Sequence, residues 1–161
     1  MRSEQETREA VRKYSDMIRR ICMVHLKSYH DTEDIFQTVF LKYALASDEF
    51  ASEEHEKAWF IRVTINACRD LLRNFFRSRT VSIEEVEELA GETGTAEDSR
   101  VREEVLLLPD KYKDAVYLHY FEGYSAAEIA KLLGKKENTV YSLLSRGRDI
   151  LSEKLGGGID G

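Results

Sequence analysis

Residues 125–144 read SAAEIAKLLGKKENTVYSLL and contain the signals of two helices joined by a turn. Ser125 and Glu128 have the spacing of a capping box, in which each side chain bonds to the other residue's backbone amide at the start of a helix. Gly134 suits the left-handed turn that ends such a helix. Val140 would fill the space between this helix and the next one. The sequence therefore predicts a helix-turn-helix.

Polar side chains on the outer face of the second helix indicate a surface for duplex DNA. In helix-turn-helix proteins the second helix lies in the major groove, and its early polar residues reach the base edges. Arginines on this face can pair with guanine edges or with phosphates. Helix pairs of this kind also occur as plain packing units, but the capping box, turn glycine and basic outer face together favour DNA binding. The candidate residues are Asn138, Thr139, Tyr141, Ser142, Ser145, Arg146 and Arg148.

Outward from this motif, nearly the whole chain is patterned as helix. Its 161 residues include one proline and nine glycines, and apolar residues recur every three or four positions. A first apolar stripe ends near His25. A second helix starts near Asp31 or Thr32, either of which can cap it, and a third starts near Glu56. Such stripes are buried only against partners, which predicts an all-α first module of three to four helices over residues 1–79.

An acidic segment separates the two predicted modules. Residues 81–104 contain nine acidic side chains against two arginines, and glycines interrupt the apolar pattern. This composition predicts a flexible linker over residues 80–104. The linker is either a solvated tether or a strip that occupies a basic groove on a partner. The second module, residues 105–161, contains the helix-turn-helix and ends in a glycine-rich tail.

A basic stripe beside aromatic residues runs along the third helix. Arg62, Asn66, Arg69 and Arg73 recur every three or four positions and therefore share one helix face. This arrangement suits single-stranded or melted nucleic acid, because guanidinium groups hold phosphates while aromatic rings stack on bases. The aromatic residues close to the stripe are Phe50, Trp59, Phe60, Phe75 and Phe76. The sequence leaves open whether Trp59 belongs to the core or to this surface.

Composition and motif searches argue against several classes of protein. No apolar run approaches the roughly 20 residues that cross a bilayer, and the first residues lack the pattern of a signal peptide. The two cysteines, Cys22 and Cys68, indicate either buried small hydrophobic residues or a redox pair. The histidines have no metal-ligand spacing, and no glycine-rich phosphate loop is present. We expect a cytoplasmic protein that is not an enzyme and has no cofactor or metal.

Three stretches, in this order, resemble the extracytoplasmic-function group of bacterial sigma factors, the promoter-reading subunits of RNA polymerase. Residues 31–42, DTEDIFQTVFLK, resemble the helix that docks on the clamp of the polymerase beta-prime subunit. Residues 57–73, KAWFIRVTINACRDLLR, resemble the helix for the minus-ten element. Residues 108–155, which include GYSAAEIA and NTVYS, resemble the module for the minus-thirty-five element.

The resemblance implies a role for each of these surfaces. Residues 50–57 match the loop that captures an unstacked base, and the acidic linker would run through the RNA exit path of the polymerase. Further implied partners are the polymerase beta flap, promoter DNA and an anti-sigma factor. The implied contacts to the core enzyme are Asp34, Gln37 and Phe40. Those to the minus-ten strand are Arg62, Asn66, Arg69 and Arg73, and those to the upstream element are Tyr141, Ser142, Ser145 and Arg146. Trp59 and the loop before it are the candidate wedge and pocket for strand opening.

The net charge of −6 shapes the predicted mechanism, because phosphate contacts supply most nonspecific affinity for DNA. The linker concentrates the acids, whereas the two predicted DNA faces are locally basic. We therefore expect the free chain to bind duplex DNA poorly and to bind promoters once polymerase fixes both modules. Two alternatives stay open from the residues alone. One is a two-domain helix-turn-helix regulator that acts without polymerase, and the other is an adaptor that binds only proteins.

Overall fold

The computed structural model describes residues 1–26, 28–47, 49–78, 105 and 107–154, although not the side chains of residues 75–78 and 154. Within these ranges the chain is helical and has no strand, which confirms the all-α prediction. The predicted acidic linker and the glycine-rich tail lie outside the described residues. The helices are α1 (Glu4–Leu26), α2 (Tyr29–Leu45), α3 (Glu53–Ser78), α4 (Asp110–Tyr120), α5 (Ala126–Leu133) and α6 (Glu137–Lys154).

Helices α1, α2 and α3 pack against one another and form the first of two units. Their shared core contains Ile18 and Cys22 from α1, Val39 from α2, and Phe60 and Ile61 from α3, each fully buried. The apolar stripe predicted on the first helix faces this core. Burial of these stripes stabilises the three helices together, since each covers the apolar face of the others.

Two helices of this unit begin earlier than the sequence pattern indicated. Helix α2 is capped by Ser28, whose Oγ accepts a 3.3 Å hydrogen bond from the amide of Asp31. The expected caps, Asp31 and Thr32, are wrong, because both residues lie inside the helix and Thr32 is buried. Helix α3 starts three residues before Glu56, and the Oγ of Ser52 accepts a 3.1 Å hydrogen bond from the amide of His55.

Helices α4, α5 and α6 form the second unit, and here the predicted motif is present. The Oγ of Ser125 accepts a hydrogen bond from the amide of Glu128, whose carboxylate accepts one from the amide of Ser125. Gly134 ends α5 in the left-handed conformation, with a φ of 65°. Val140 is fully buried between the helices. The helix-turn-helix prediction is therefore confirmed.

Gly147 allows α6 to lie close to α4. A Cβ atom at this position would come within 2.6 Å of Cγ2 of Val116 and 3.6 Å of Cβ of Tyr112. The first distance is shorter than carbon atoms tolerate in a packed interior, so a side chain here would push the helices apart. The glycine thus brings the start of α4 against the middle of α6.

Candidate nucleic-acid interface

The basic stripe predicted on the third helix lies on the exposed face of α3. Arg62, Asn66, Arg69 and Arg73 are exposed, whereas Ile65 on the opposite face is buried. The stripe runs over the twelve residues 62–73, or about 16 Å along the helix axis from the first residue to the last. Arg73 forms a 3.4 Å ion pair with Asp70, and both side chains are mostly exposed. An exposed ion pair of this kind contributes little to stability, so Arg73 can exchange it for a contact with a phosphate.

Trp59 lies at the edge of a cluster of aromatic rings. Its ring centroid is 5.0 Å from that of Phe60, 5.9 Å from that of Tyr43 and 6.0 Å from that of Phe50. Phe60 and Tyr43 are buried, whereas Trp59 and Phe50 are half-buried. Trp59 therefore packs against the core and also presents part of its ring to solvent. The sequence left open whether Trp59 belongs to the core or to the surface, and in the structure it belongs partly to each.

The segment before α3 differs from the loop that the family resemblance implied. That loop was expected over residues 50–57, but residues 53–57 form the start of α3. Glu53 and Glu54 are exposed in the first helical turn, where negative side chains stabilise the helix because they interact favourably with its unpaired backbone amides. Of the expected loop, only residues 50–52 are therefore non-helical.

Glu56 is a brace between helices rather than a free carboxylate beside the stripe. Its Oε1 accepts a 2.9 Å hydrogen bond from the hydroxyl of Tyr14, and its Oε2 accepts one of 2.9 Å from Tyr43. Burial, and then the hydrogen bond to Glu56, raise the pKa of Tyr43 to about 12. The same two causes raise the pKa of Tyr14 well above its ordinary value. Both hydroxyls therefore stay neutral donors at physiological pH.

Arg2 contacts the aromatic cluster, and sequence analysis missed this residue. Its Nε donates a 3.0 Å hydrogen bond to the carbonyl of Tyr43. Its guanidinium carbon lies 4.2 Å from the ring centroid of Tyr43 and 5.1 Å from that of Phe50. A cavity of about 760 Å³ opens beside these residues and is also lined by Ser52 and by glutamates of α1 and α3. No periodic signal marks Arg2, because it precedes the first helix.

The surface of α2 carries two of the three residues expected to contact the core enzyme. Asp34 and Gln37 are exposed. Phe40 is only 7% exposed and packs against Phe60 of α3, with ring centroids 5.5 Å apart. A direct contact from Phe40 to a partner is therefore not supported, because the side chain fills the core. Leu41 is 60% exposed and shares the outer face with Asp34 and Gln37.

The outer face of α6 brings most of the other candidates together. The buried residues Val140, Leu144 and Leu151 line the opposite side of the helix. Arg148 is half-buried and lies at the edge of the outer face, so it is less accessible than the sequence suggested. Tyr141 is 56% exposed, and its hydroxyl donates a 3.3 Å hydrogen bond to Glu137. The exposed candidates are Asn138, Thr139, Tyr141, Ser142, Ser145 and Arg146.

Other functional classes find no support among the described residues. These residues include no group of three or more acidic, histidine or cysteine side chains that could hold a metal ion. No helix among them is long and apolar enough to cross a membrane. Cys22 and Cys68 are both buried and are not joined in a disulfide bond, and their sulfur atoms are 3.9 Å apart. This arrangement is compatible with both interpretations of the cysteine pair.

Comparison with known proteins assigns a family to each unit. The family model for Sigma-70 region 2 matches residues 10–93, more than half of the chain, and the model for Sigma-70, region 4 matches residues 98–151. The ECF RNA polymerase sigma factor SigM of Mycobacterium tuberculosis is 29% identical over 146 residues, which cover 90% of this chain and 74% of that protein.

Two solved structures share the fold. The sigma factor RpoE of Bartonella quintana, in complex with the anti-sigma factor NepR, matches with a TM-score of 0.75 and 20% identity, covering 96% of this chain and 99% of that one. CnrH, in complex with the cytosolic domain of CnrY, matches with a TM-score of 0.70 and 23% identity, covering 98% of this chain and 92% of that one. The chain therefore belongs to the sigma-70 family, within its extracytoplasmic-function (ECF) group of RNA polymerase sigma factors.

Proposed function

We propose that this chain binds core RNA polymerase in the cytoplasm, recognises the minus-ten and minus-thirty-five elements of a promoter, and promotes strand opening. The observation that carries the proposal is the pairing of two exposed polar faces, on α3 and on α6, within two units that match different sigma regions. A regulator with a single helix-turn-helix does not account for the basic and aromatic surface of α3. The proposed function needs no catalytic chemistry from the chain.

The exposed face of α2 is the proposed docking site for the polymerase clamp. Asp34 and Gln37 supply polar contacts there, and the exposed Leu41 supplies an apolar one. Exposed apolar side chains beside polar ones are typical of surfaces that bind protein partners. Phe40 supports this face from inside, through its packing against Phe36 and Phe60. The helix-turn-helix unit is the proposed contact for the beta flap.

Strand opening on this proposal depends on α3 and the aromatic cluster. A flipped base costs a few kcal/mol of unstacking, which the protein must offset by binding that base. Phe50 is a half-buried ring that lines the 760 Å³ cavity, and Trp59 is a half-buried ring whose centroid lies 6.0 Å from that of Phe50, so they are the proposed stacking partner and wedge. Arg62, Asn66, Arg69 and Arg73 would hold the backbone of the melted strand beside them. Phosphate contacts from guanidinium groups suit this task.

The negative net charge of the chain indicates how polymerase would control DNA binding. Each DNA face is small, and the net charge of −6 opposes binding by the free chain. When polymerase fixes both units, binding of the second face becomes intramolecular, and overall affinity rises without any new contact. An anti-sigma factor that covers the docking face would prevent this step. The structure of RpoE with the anti-sigma factor NepR, which shares this fold, supports such a regulator here.

The decisive experiment reconstitutes the chain with core polymerase and a random pool of promoter sequences. We expect run-off transcription to enrich two separated sequence elements, and the chain alone to shift the same duplexes weakly. A control with α2 variants Asp34→Ala and Gln37→Ala tests whether enrichment needs the docking face. Tight binding of duplex DNA by the chain alone, with no effect of polymerase, would instead establish a conventional regulator.

A further inference from the structure

Arg2 binds the carboxyl end of α2 from outside that helix. Its backbone amide donates a 2.9 Å hydrogen bond to the carbonyl of Ala44, and its Nε donates one of 3.0 Å to the carbonyl of Tyr43. Both carbonyls lie in the last turn of α2, where a helix has no further amides of its own to bind them. A cation is also favoured at this end, because it carries partial negative charge. Arg2 therefore acts as a cap for α2.

The guanidinium of Arg2 also joins the end of α2 to the segment that precedes α3. Its central carbon lies 4.2 Å from the ring centroid of Tyr43 and 5.1 Å from that of Phe50, and both distances are within the range of cation–π contacts. The two rings are parallel to within 3°, with centroids 6.5 Å apart. The side chain of Arg2 is 10% exposed, so little water competes for these contacts.

Phe50 depends on side-chain contacts for its position. It lies in the non-helical residues 50–52, so the regular hydrogen bonds of a helix do not fix it. From α3, the rings of His55 and Trp59 meet it at steep angles, with centroids 5.8 Å and 6.0 Å away. From the end of α2, Tyr43 stacks on it, and Arg2 contacts both of these rings. Loss of the guanidinium would therefore loosen the ring that is proposed to stack on a base.

The surroundings of Arg2 distinguish it from the exposed arginines of the α3 stripe. Its Nη1 lies 3.7 Å from Oε2 of Glu6, which balances its charge. The cavity beside it is further lined by Glu9, Glu49 and Glu53. Carboxylates repel a phosphate, whereas they do not oppose contacts with a carbonyl and with aromatic rings. Arg2 is therefore better suited to hold other protein groups than to bind the DNA backbone.

We propose that Arg2 is a positioning residue for strand opening, which holds the ring of Phe50 ready to stack on the flipped base. The inference rests on the proposed function and deepens it, because it adds a residue that assists base capture without contact to DNA. A ring that is ordered beforehand loses less freedom on binding, so more of the stacking free energy offsets the unstacking of the base. Arginine suits this task, because its planar group can donate to a carbonyl and stack on rings, whereas lysine provides a point charge.

The test compares reconstituted holoenzymes on a duplex promoter enriched by the wild-type holoenzyme. Permanganate reactivity of unpaired thymines, followed over time, gives the rate of opening. Binding at low temperature, where the strands stay paired, gives the salt dependence of the closed complex. The variants are Arg2→Met, which keeps an apolar chain and the backbone bond to Ala44, Arg2→Lys, which keeps the charge, and Phe50→Ala. Arg8→Gln is the control, because it removes a mostly exposed arginine from α1.

We expect Arg2→Met to slow opening by about 5- to 30-fold, the rate equivalent of one cation–π contact of a mostly buried side chain. The salt slope of closed-complex binding should not change, whereas loss of a phosphate contact would lower it by about 0.9. Arg2→Lys should recover only a small part of the rate, and Arg8→Gln should match the wild type. Full recovery by Arg2→Lys, or a lower salt slope for Arg2→Met, overturns the inference.

The double variant of Arg2→Met and Phe50→Ala separates positioning from a general structural role. If Arg2 acts through Phe50, the double variant should open the promoter at the rate of Phe50→Ala alone, whereas two losses that multiply overturn the inference. Urea unfolding followed through Trp59 checks that each variant is folded, and Arg2→Lys takes the place of Arg2→Met in the double variant if the latter does not fold.

Two further outcomes distinguish the inference from the proposal on which it rests. If Phe50→Ala opens promoters at the wild-type rate, the roles of both Phe50 and Arg2 are wrong, while promoter recognition through the other surfaces stands. If the wild-type holoenzyme enriches and opens no promoter, the proposed function itself fails before any variant is compared.

Discussion

The hydroxyl of Tyr43 donates a 2.9 Å hydrogen bond to Oε2 of Glu56, and this bond joins α2 to the first turn of α3. The second carboxylate oxygen of Glu56 accepts the hydroxyl of Tyr14 from α1. One acidic side chain therefore connects all three helices of the first unit. Glu56 lines the same cavity as Phe50, which belongs to the segment proposed to capture a base. The stability of the unit and the geometry of this segment are therefore coupled.

Replacement of Glu56 should destabilise the first unit strongly. Glu56→Ala removes the carboxylate acceptor of two part-buried hydroxyls, which we expect to cost roughly 2–4 kcal/mol of unfolding free energy. Glu56→Gln should cost less, because the amide oxygen still accepts one hydrogen bond. Urea unfolding, followed by tryptophan fluorescence, measures the unfolding free energy of each variant. Trp59 is a suitable probe because it is the only tryptophan in the sequence and packs against Tyr43.

The matched control for Glu56 is Glu54, an exposed carboxylate in the same helical turn. Glu54→Ala should change the unfolding free energy by no more than about 0.5 kcal/mol. If the two alanine variants had the same midpoint in urea, the hydrogen bonds from Tyr14 and Tyr43 to Glu56 would make no net contribution to stability. The interpretation of Glu56 as a brace would then be wrong.

The same bridge predicts a loss of stability in alkaline solution. The pKa of Tyr43 rises from 10.0 to about 12 on folding, so the folded chain keeps this proton more tightly than the unfolded chain. The resulting stabilisation is fully present below pH 10 and is lost as the pH rises towards about 12. We expect the midpoint of urea unfolding, followed through Trp59, to fall across this window. Tyr43→Phe should show a smaller fall, and an equal fall in both proteins would contradict the assignment.

Local signals made the second unit predictable, whereas tertiary packing decided the points that were missed. Ser125, Glu128 and Gly134 act through the backbone within a few residues, so their spacing alone predicts the helix ends. Around the start of α2, by contrast, Ser28, Asp31 and Thr32 are all competent caps. The burial of Thr32 against the rest of the unit, which no local pattern reveals, selects Ser28.

For the candidate site, too, local patterns predicted correctly and contacts between helices were missed. Helical periodicity places Arg62, Asn66, Arg69 and Arg73 on one exposed face, as the structure does. Phe40 was placed on the docking surface through the family resemblance, but Phe60 of α3 covers it.

The basic stripe predicts a specific effect on strand opening. Arg62→Gln removes one exposed guanidinium from α3 without touching the core. If Arg62 holds a phosphate of the melted strand, the salt slope of open-complex formation should fall by about 0.7, the value for a single strand. Permanganate reactivity of unpaired thymines measures this opening as a function of salt. Arg8→Gln is the control, and equal slopes for both variants would exclude Arg62 from the strand contact.

Gly147 should tolerate no side chain unless Val116 is reduced at the same time. Alanine has a helix propensity about 1 kcal/mol better than glycine, but its Cβ would lie 2.6 Å from Cγ2 of the fully buried Val116. Valine in a helix has essentially one rotamer and cannot turn aside, so overpacking at roughly 1–3 kcal/mol should prevail. We expect Gly147→Ala to lower the thermal midpoint of the second unit, measured by far-ultraviolet circular dichroism. Val116→Ala creates a cavity by itself, but the double variant should lose less stability than the two single losses added together. Additive losses would mean that the two residues do not limit the approach of α4 to α6.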